Sequence, residues 1–372
     1  MKVAFRTDAS LTIGTGHVMR CLTLADALRR RGADCLFLSR SHPGHLHQEV
    51  EARGYPVMDL GGTADMSDAQ FPMDYSYLLG VDWEVDAADT KEVIEQHPID
   101  WLVVDHYGLD SRWERTLRPS CQMLMAIDDL ANRDHDVDAL LDQNLGKAAK
   151  DYENRVPEAS VLMLGPMFSL LRPDFKALRP KSLAERGSRI PKRILVTMGG
   201  VDKDNATGRV LTALASSPSP LDLSVTVVMG PHAPWRAQVT EQSSGLPFRA
   251  RVLVNVSDMA QIMCESDLAI GAAGSTSWER CCLGLPTLQI VLADNQRPIA
   301  QALDQAGAAL ELDIKNLEAS LHQAMKQLAL TPETLRSMSD AAAGVTDGLG
   351  ADRVAQIMVE GLHHNRREGS YV

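Results

Sequence analysis

The sequence has no surplus of basic residues. Lys and Arg number 37 against 49 Asp and Glu, a formal charge of −12. A nucleic-acid binder displaces counterions with a basic face, and none is visible here. Nor is there a polybasic tract to seek an anionic membrane surface. The longest apolar runs fall far short of the roughly 20 residues that span a bilayer. No apolar segment behind a basic head precedes the first β-rich run, Lys2-Val3-Ala4-Phe5. The cysteines Cys21, Cys35, Cys121, Cys264, Cys281 and Cys282 form no C-x-x-C pair and sit mostly in apolar runs, as reduced core residues do. The expectation is a soluble, cytoplasmic protein, a monomer or weak oligomer, that handles small molecules, with neither nucleic-acid nor membrane partners.

What is present is an α/β pattern in duplicate. At about 150 residues per domain, the 372 residues predict two domains. Short β-rich runs alternate with helical patterns, the mark of parallel sheets with crossover helices. Strands are expected at 3–6, 35–39, 101–105, 123–128 and 139–141. A helix over 17–31 puts Val18, Cys21, Leu22, Ala25 and Leu28 on one face before Gly32 ends it. Residues Lys176 to Lys192 hold two prolines, Gly187 and several charges without apolar periodicity, a linker composition. The pattern then restarts, with strands at 194–198, 224–229, 252–256, 268–271 and 287–292 and a helix at 206–216. The boundaries expected are a Rossmann-like domain at 1–172, a linker at 173–192 and a second Rossmann-like domain at 193–372, whose C-terminal helix packs back. Ligands of open α/β sheets bind at the carboxyl ends of strands, so the two parallel sheets are expected to face an interdomain cleft.

The first motif runs Arg6-Thr7-Asp8, then Ile13-Gly14-Thr15-Gly16-His17-Val18-Met19-Arg20-Cys21. A strand, a glycine turn and a helix start place His17 where the positive end of the helix dipole disfavours imidazolium, so the ring can take a proton near neutral pH. Asp8, ending the same strand, is the candidate to orient the ring. His17 reads equally well as a helix-cap residue. A dinucleotide fingerprint does not fit, because Met19 stands where a third glycine belongs and Ser39-Arg40 ends the second strand without an acid.

The second motif is Gly271-Ala272-Ala273-Gly274-Ser275-Thr276-Ser277-Trp278-Glu279. Small residues let backbone N–H groups approach a diphosphate, and Glu279 can accept hydrogen bonds from a ribose diol. The alternative is a close-packed βα turn. Asp105-His106-Tyr107-Gly108, Asp128-Asp129 and Asp294-Asn295-Gln296 follow strands and offer polar groups for sugar hydroxyls and acetamido groups, or cap the next turn. His42, His45 and His47 have metal-like spacing, but Pro43 and Gly44 make the segment a loop and no carboxylate or cysteine completes a set. Neither a metal nor a cofactor is expected.

Together, Arg6-x-Asp8, Ile13-Gly14-x-Gly16-His17-x-Met19-Arg20-Cys21, Asp105-x-Tyr107, Asp128-Asp129, Gly165-Pro166 to Leu171-Arg172-Pro173, and the Gly271–Pro286 block with Asn295-Gln296 resemble one family. It is the UDP-sugar hydrolase of pseudaminic acid biosynthesis, which removes UDP from 2,4-diacetamido-2,4,6-trideoxy-β-L-altropyranose. The resemblance implies a GT-B-like fold, akin to the glycosyltransferase of lipid II synthesis. It implies His17 as the catalytic histidine, with Tyr107 and Asn295 on the sugar. Gly274, Ser275 and Thr276 would hold the diphosphate and Glu279 the ribose. Val254, Val256 and Met259 would flank uracil, and Arg172 would meet a phosphate. Gly14, Gly16, Arg20 and Gln296 belong to the matched motifs and are carried over as substrate-binding. The reaction expected is an inverting hydrolysis without metal, its ligands the UDP-linked sugar and the UDP product. The stretches at 62–85 and 179–189 look like insertions. Two rival readings remain: a GT-B glycosyltransferase, and a silent protein that binds a nucleotide sugar.

Overall fold

The structure, a computed structural model, describes residues 1–62, 75–186, 191–217, 222–331 and 333–368. The chain forms two compact units, Met1–Leu170 with Leu349–Val372, and Leu171–Gly348.

The first unit is built on a seven-stranded parallel sheet. Its strands are β1 (Lys2–Thr7), β2 (Asp34–Ser39), β3 (Val57–Asp59), β4 (Ile99–Asp105), β5 (Cys121–Ile127), β6 (Ala139–Asp142) and β7 (Val161–Leu164). The spatial order is β3-β2-β1-β4-β5-β6-β7. The central strands are buried along nearly their whole length, as expected when helices cover both faces of a parallel sheet. Register sets Phe5 against Phe37 on one side and Val103 on the other, and Thr7 against Asp105. The Gly16–Arg29 helix buries Val18, Cys21, Leu22, Ala25 and Leu28 against this sheet. Gly32 follows in the left-handed region.

The end of the chain belongs to this unit as well. The Gly350–Glu368 helix packs on the Gly16–Arg29 helix, and Ala351, Val354, Ala355 and Met358 enter the same core. The Trp101 indole donates to the Met358 carbonyl at 3.1 Å. Residues 349–368 therefore leave the domain that a 193–372 boundary assigns them to. Their apolar stripe needs a partner face, and the face of the first helix supplies it.

The second unit carries β8 (Arg193–Thr197), β9 (Ser224–Met229), β10 (Arg249–Val254), β11 (Leu268–Ala272), β12 (Thr287–Ile290) and β13 (Ala309–Leu312). They form a six-stranded parallel sheet in the order β10-β9-β8-β11-β12-β13. Val196, Val227, Ile270 and Leu288 sit in its core. The 173–192 segment is not an irregular linker, since Pro173–Glu185 is a helix. Pro173 occupies the first helical position, where its missing N–H costs nothing. The helix has little apolar periodicity because polar contacts hold much of it. Arg179 donates to the carbonyls of Cys282, Ala343 and Thr346, and Ser182 donates to that of Leu283. Residues 187–190 of that segment lie outside the described residues, as do 63–74 of the stretch at 62–85.

Both sheets have a switch point where strand order reverses, between β1 and β4 and between β8 and β11. Open α/β sheets bind ligands beyond the carboxyl ends of strands at such points. Among the described residues no helix is long and apolar enough to cross a membrane.

Candidate functional site

At the first switch point the chain leaves β1 and makes a tight turn into the Gly16–Arg29 helix. The Ser10 side chain accepts from the backbone N–H groups of Thr12 and Ile13 at 3.1 and 2.9 Å. The Gly14 N–H returns to the Ser10 carbonyl at 2.8 Å. Gly14 has φ +82°, a conformation that strains any residue with a Cβ. Thr15 is the N-cap and Gly16 the first helical residue, which puts His17 in the first turn, beside the end of β4.

There His17 Nδ1 lies 2.6 Å from Asp105 Oδ1. A carboxylate only accepts, so its position assigns the proton to Nδ1 and leaves the lone pair on Nε2. Arg20, one helical turn on, grips the same carboxylate from the side, with Nε and Nη2 each donating at 2.6 Å. Its Nη1 donates to Asp129 Oδ2 at 2.7 Å. The Tyr107 hydroxyl donates to that same oxygen at 3.0 Å. The Tyr107 ring meets the imidazole edge-on, with centroids 4.6 Å apart and planes at 86°. Burial pushes the Asp105 carboxyl up, but Arg20 and His17 outweigh it and hold the group well below the usual carboxylate range. Burial and the adjacent Asp129 raise the Tyr107 phenol well above its ordinary value, so it stays protonated. The result is a buried, fixed, hydrogen-bonded frame that presents one histidine.

Two sequence expectations change here. Asp8 does not orient His17. It is fully buried beneath the turn, bound to Arg6 Nη1 at 2.7 Å and accepting from the Arg40 backbone at 2.8 Å. Asp105 takes the role because β4, not β1, carries its carboxylate to the helix start. Arg20 was expected to touch substrate, yet all three of its guanidinium nitrogens bond to Asp105 and Asp129. The structure makes it a support for those two carboxylates. His17 is also not a cap, since its Nδ1 is spent on a neighbouring strand. His42 and His106 converge on Asp8 Oδ2 at 3.4 and 3.5 Å. His106 Nδ1 accepts from the Gly108 N–H at 3.0 Å, which leaves the proton on Nε2. Among the described residues no group of three or more His, Cys, Asp or Glu could hold a metal ion.

The second switch point gathers the other expected residues. β11 ends at Ala272, and the turn through Gly274, Ser275 and Thr276 opens the Thr276–Cys282 helix. A Cβ on Gly274 would lie 3.7 Å from Gln296 Nε2, so the turn abuts the Asp294–Gln296 segment. Gln296 Oε1 accepts from the Leu292 N–H at 3.0 Å, and Asn295 is exposed beside it. Glu279 is half-buried; burial pushes its carboxyl up to about 7, with Arg172 and Arg280 pulling the other way. Arg172 Nη1 donates to the Ser257 carbonyl at 3.0 Å. That contact ties it to the turn that holds Val256 and joins Val254, the 37% exposed last residue of β10, to Met259, the first residue of the Met259–Glu265 helix.

Sequence reasoning placed Asp105 and Asp129 in strand-end motifs that offer polar groups to a sugar, but did not pair Asp105 with His17 or Asp129 with Arg20, and did not single out Arg280. The signal for Asp105 was present: in this sheet order a strand-end acid on β4 stands next to the turn after β1. Arg280 had no signal, because an arginine one position past a motif reads as solvated.

Residues 194–354 match the glycosyltransferase family 28 C-terminal domain. The chain is 24% identical to the UDP-2,4-diacetamido-2,4,6-trideoxy-β-L-altropyranose hydrolase of Campylobacter jejuni, over 84% of this chain and 99% of that one. It is 24% identical to the spore coat polysaccharide biosynthesis protein SpsG of Bacillus subtilis, over 96% and 98% of the two chains. An uncharacterized protein of Methanocaldococcus jannaschii is 25% identical over 80% of this chain, which spans 57% of that relative's length. Among solved structures, MurG of Acinetobacter baumannii superposes with a TM-score of 0.67 at 15% identity, covering 96% of this chain and 99% of that one. The chain has the GT-B fold, two Rossmann-like domains each built on a parallel sheet.

Proposed function

We propose that this protein is an enzyme of nucleotide-sugar metabolism that hydrolyses a UDP-sugar, with UDP-2,4-diacetamido-2,4,6-trideoxy-β-L-altropyranose as the substrate. The observation that carries the reading is the 2.6 Å contact between His17 Nδ1 and Asp105. It turns the imidazole into a base with a single open nitrogen. Likeness to the Campylobacter hydrolase over nearly its whole length supports the substrate class.

In this reading water attacks the anomeric carbon and gives its proton to His17 Nε2. The bond from that carbon to the diphosphate oxygen breaks, and its electrons leave with UDP. Attack from the face opposite the leaving group inverts the configuration. Asp105 stabilises the imidazolium that forms, as the carboxylate does in hydrolase triads. A second carboxylic acid is not required, because UDP departs as a stable anion, unlike the leaving group of an ordinary glycosidase. Tyr107 and Asn295 are assigned to the sugar, Gly274–Thr276 to the diphosphate, Glu279 to the ribose diol, and Val254, Val256 and Met259 to uracil.

A second reading, a glycosyltransferase that passes the sugar to an acceptor hydroxyl, is favoured by the family 28 match over residues 194–354 and by the likeness to MurG. One experiment separates the two. The protein is incubated with UDP-linked diacetamido-trideoxy sugars and no acceptor, UDP release is followed, and the product anomer is read by NMR before mutarotation. Hydrolysis with inversion is expected. Release that appears only when an acceptor is added favours the transferase, and a retained anomer contradicts direct attack by water.

A further inference from the structure

The buried arginines of this protein differ in one respect. Arg6 is held by Asp8 and Asp86, Arg20 by Asp105 and Asp129, and Arg40 by Asp86 and Asp89. Arg280 is buried as deeply, at 1% exposure, yet its hydrogen-bond partners are all neutral. Nη2 donates to the Ala272 carbonyl at 2.8 Å and to the Ser277 hydroxyl at 2.9 Å. Nη1 donates to the Thr276 hydroxyl at 3.2 Å, and Nε has no partner. Among the described residues no carboxylate closes an ion pair with it. Removing a guanidinium from water without an ion pair costs several kcal/mol, and burial brings its pKa down to about 10 even though Cys281 and Glu279 pull it up.

The position of this cation gives the cost a purpose. It lies directly under the turn from Gly271 to Ser277, and a Cβ on Gly271 would fall 2.6 Å from Nη1. A hydroxyl that accepts from Arg280 has its own proton left to donate. Thr276 is only half-buried, so its O–H is free to serve a ligand seated on the turn.

We propose that Arg280 is the positioning residue of the phosphate subsite: fixed beneath the turn, it orients the Thr276 hydroxyl as a donor and keeps a positive charge, closed into no ion pair, that a bound phosphate group would neutralise. This rests on the assignment of the Gly274–Thr276 turn to the diphosphate of UDP. The ligand chemistry it selects is a phosphoanion rather than the nucleoside, so the two parts of UDP respond differently to its loss.

The test is calorimetric binding of UDP and of uridine to the wild type, Arg280→Met, Arg280→Lys and Thr276→Val, each checked for folding by its thermal transition. Arg280→Met should weaken UDP by about tenfold to a hundredfold, the worth of a charge-assisted hydrogen bond, and leave uridine unchanged. Arg280→Lys should recover most of the loss. The dependence of UDP affinity on salt should be shallower in Arg280→Met than in the wild type. Should Arg280→Met not fold, Thr276→Val decides, because it removes the oriented hydroxyl and keeps the guanidinium. Equal weakening of UDP and uridine, or unchanged UDP binding in the variant that decides, overturns the proposal and leaves the UDP assignment standing. Failure of the wild type to bind UDP overturns that assignment and the proposal with it.

Discussion

His17 Nδ1 and Asp105 Oδ1 stand 2.6 Å apart although 88 positions separate them in the chain. Adjacency of β1 and β4 closes that gap, and Arg20 fixes the carboxylate by donating to both of its oxygens. Exchange of Asp105 for Asn keeps the shape but replaces an acceptor with a group that can donate to Nδ1. The proton then moves to Nε2, the atom that must be open. Asp105→Asn is expected to lower kcat by about 10²- to 10⁴-fold and to leave UDP affinity unchanged. Steady-state UDP release and calorimetry on one preparation check both halves, and a variant with near-normal kcat sinks the role given to Asp105.

His17→Phe removes the base outright. Asp105 remains paired with Arg20, so no buried charge is orphaned and the fold should persist. Loss of turnover by about 10²- to 10⁴-fold is expected, with the UDP dissociation constant unmoved. Turnover close to wild type would mean that another group takes the proton.

Much of this was legible in the residues. The runs Val3-Ala4-Phe5 and Leu268–Ala272 are continuous and apolar, so a strand buried on both faces is their natural form. The strand 224–229 and the helix 206–216 are observed with the bounds their patterns predict. Three strands were not legible. Val57–Asp59, Val161–Leu164 and Ala309–Leu312 are three or four residues long and all three stand at a sheet edge, a place that strand order rather than local pattern assigns. The helix Pro173–Glu185 was hidden for another reason, since donations from Arg179 and Ser182 to distant carbonyls leave no periodic trace. At the site, His17 and the glycine turn are local and were found. The partnership of His17 with Asp105 depends on strand order, which local patterns do not encode.

Glu279 carries its own signature. Its carboxyl is pushed up to about 7 by burial, so near neutrality it is part protonated. Ribose hydroxyls donating to it would favour the charged form and drive the proton off. At pH near 7 UDP binding should therefore release about half a proton from this group. Calorimetry in two buffers of different ionisation enthalpy measures the release, and Glu279→Gln should lack this portion of it. Equal proton release from the wild type and the variant removes Glu279 from the ribose.

Gly271 tests the packing of the turn independently of any ligand. An added Cβ would lie 2.6 Å from Arg280 Nη1 and 3.0 Å from the Thr197 carbonyl oxygen. Neither neighbour has open space to retreat into, because Arg280 is buried and Thr197 lies in the sheet. Gly271→Ala is expected to destabilise the protein by about 1–3 kcal/mol, the usual range for overpacking. Urea unfolding measures it, and a stability equal to wild type would show that the turn has slack.

A single proton underlies the last expectation. The Tyr152 hydroxyl sits 2.8 Å from Asp142 Oδ2 and 3.1 Å from Asp128 Oδ2, and one O–H cannot donate to both. Asp128 is held low against the pull of burial by Arg133 and His135 and by two backbone N–H groups. Burial and the nearby Asp129 push Asp142 up to about 7, against the Asn144 N–H, Tyr152 and Lys147. With Asp142 protonated, both contacts are satisfied, Asp142 donating to Tyr152 and Tyr152 to Asp128; with Asp142 ionised, Tyr152 donates to one carboxylate and leaves the other contact unmade. A carboxyl raised from 3.8 to about 7 by folding contributes stability that is fully present below its unfolded pKa and lost as pH rises through the folded one. Asp142→Asn replaces the acid O–H with an amide donor and keeps an oxygen for the Asn144 N–H. Relative to the variant, the wild type should therefore lose stability between about pH 4 and about pH 7 and level off above that, with the Asn protein gaining ground at the higher pH. Urea midpoints across that range read the difference directly, and parallel profiles for the two proteins would place the shared proton elsewhere.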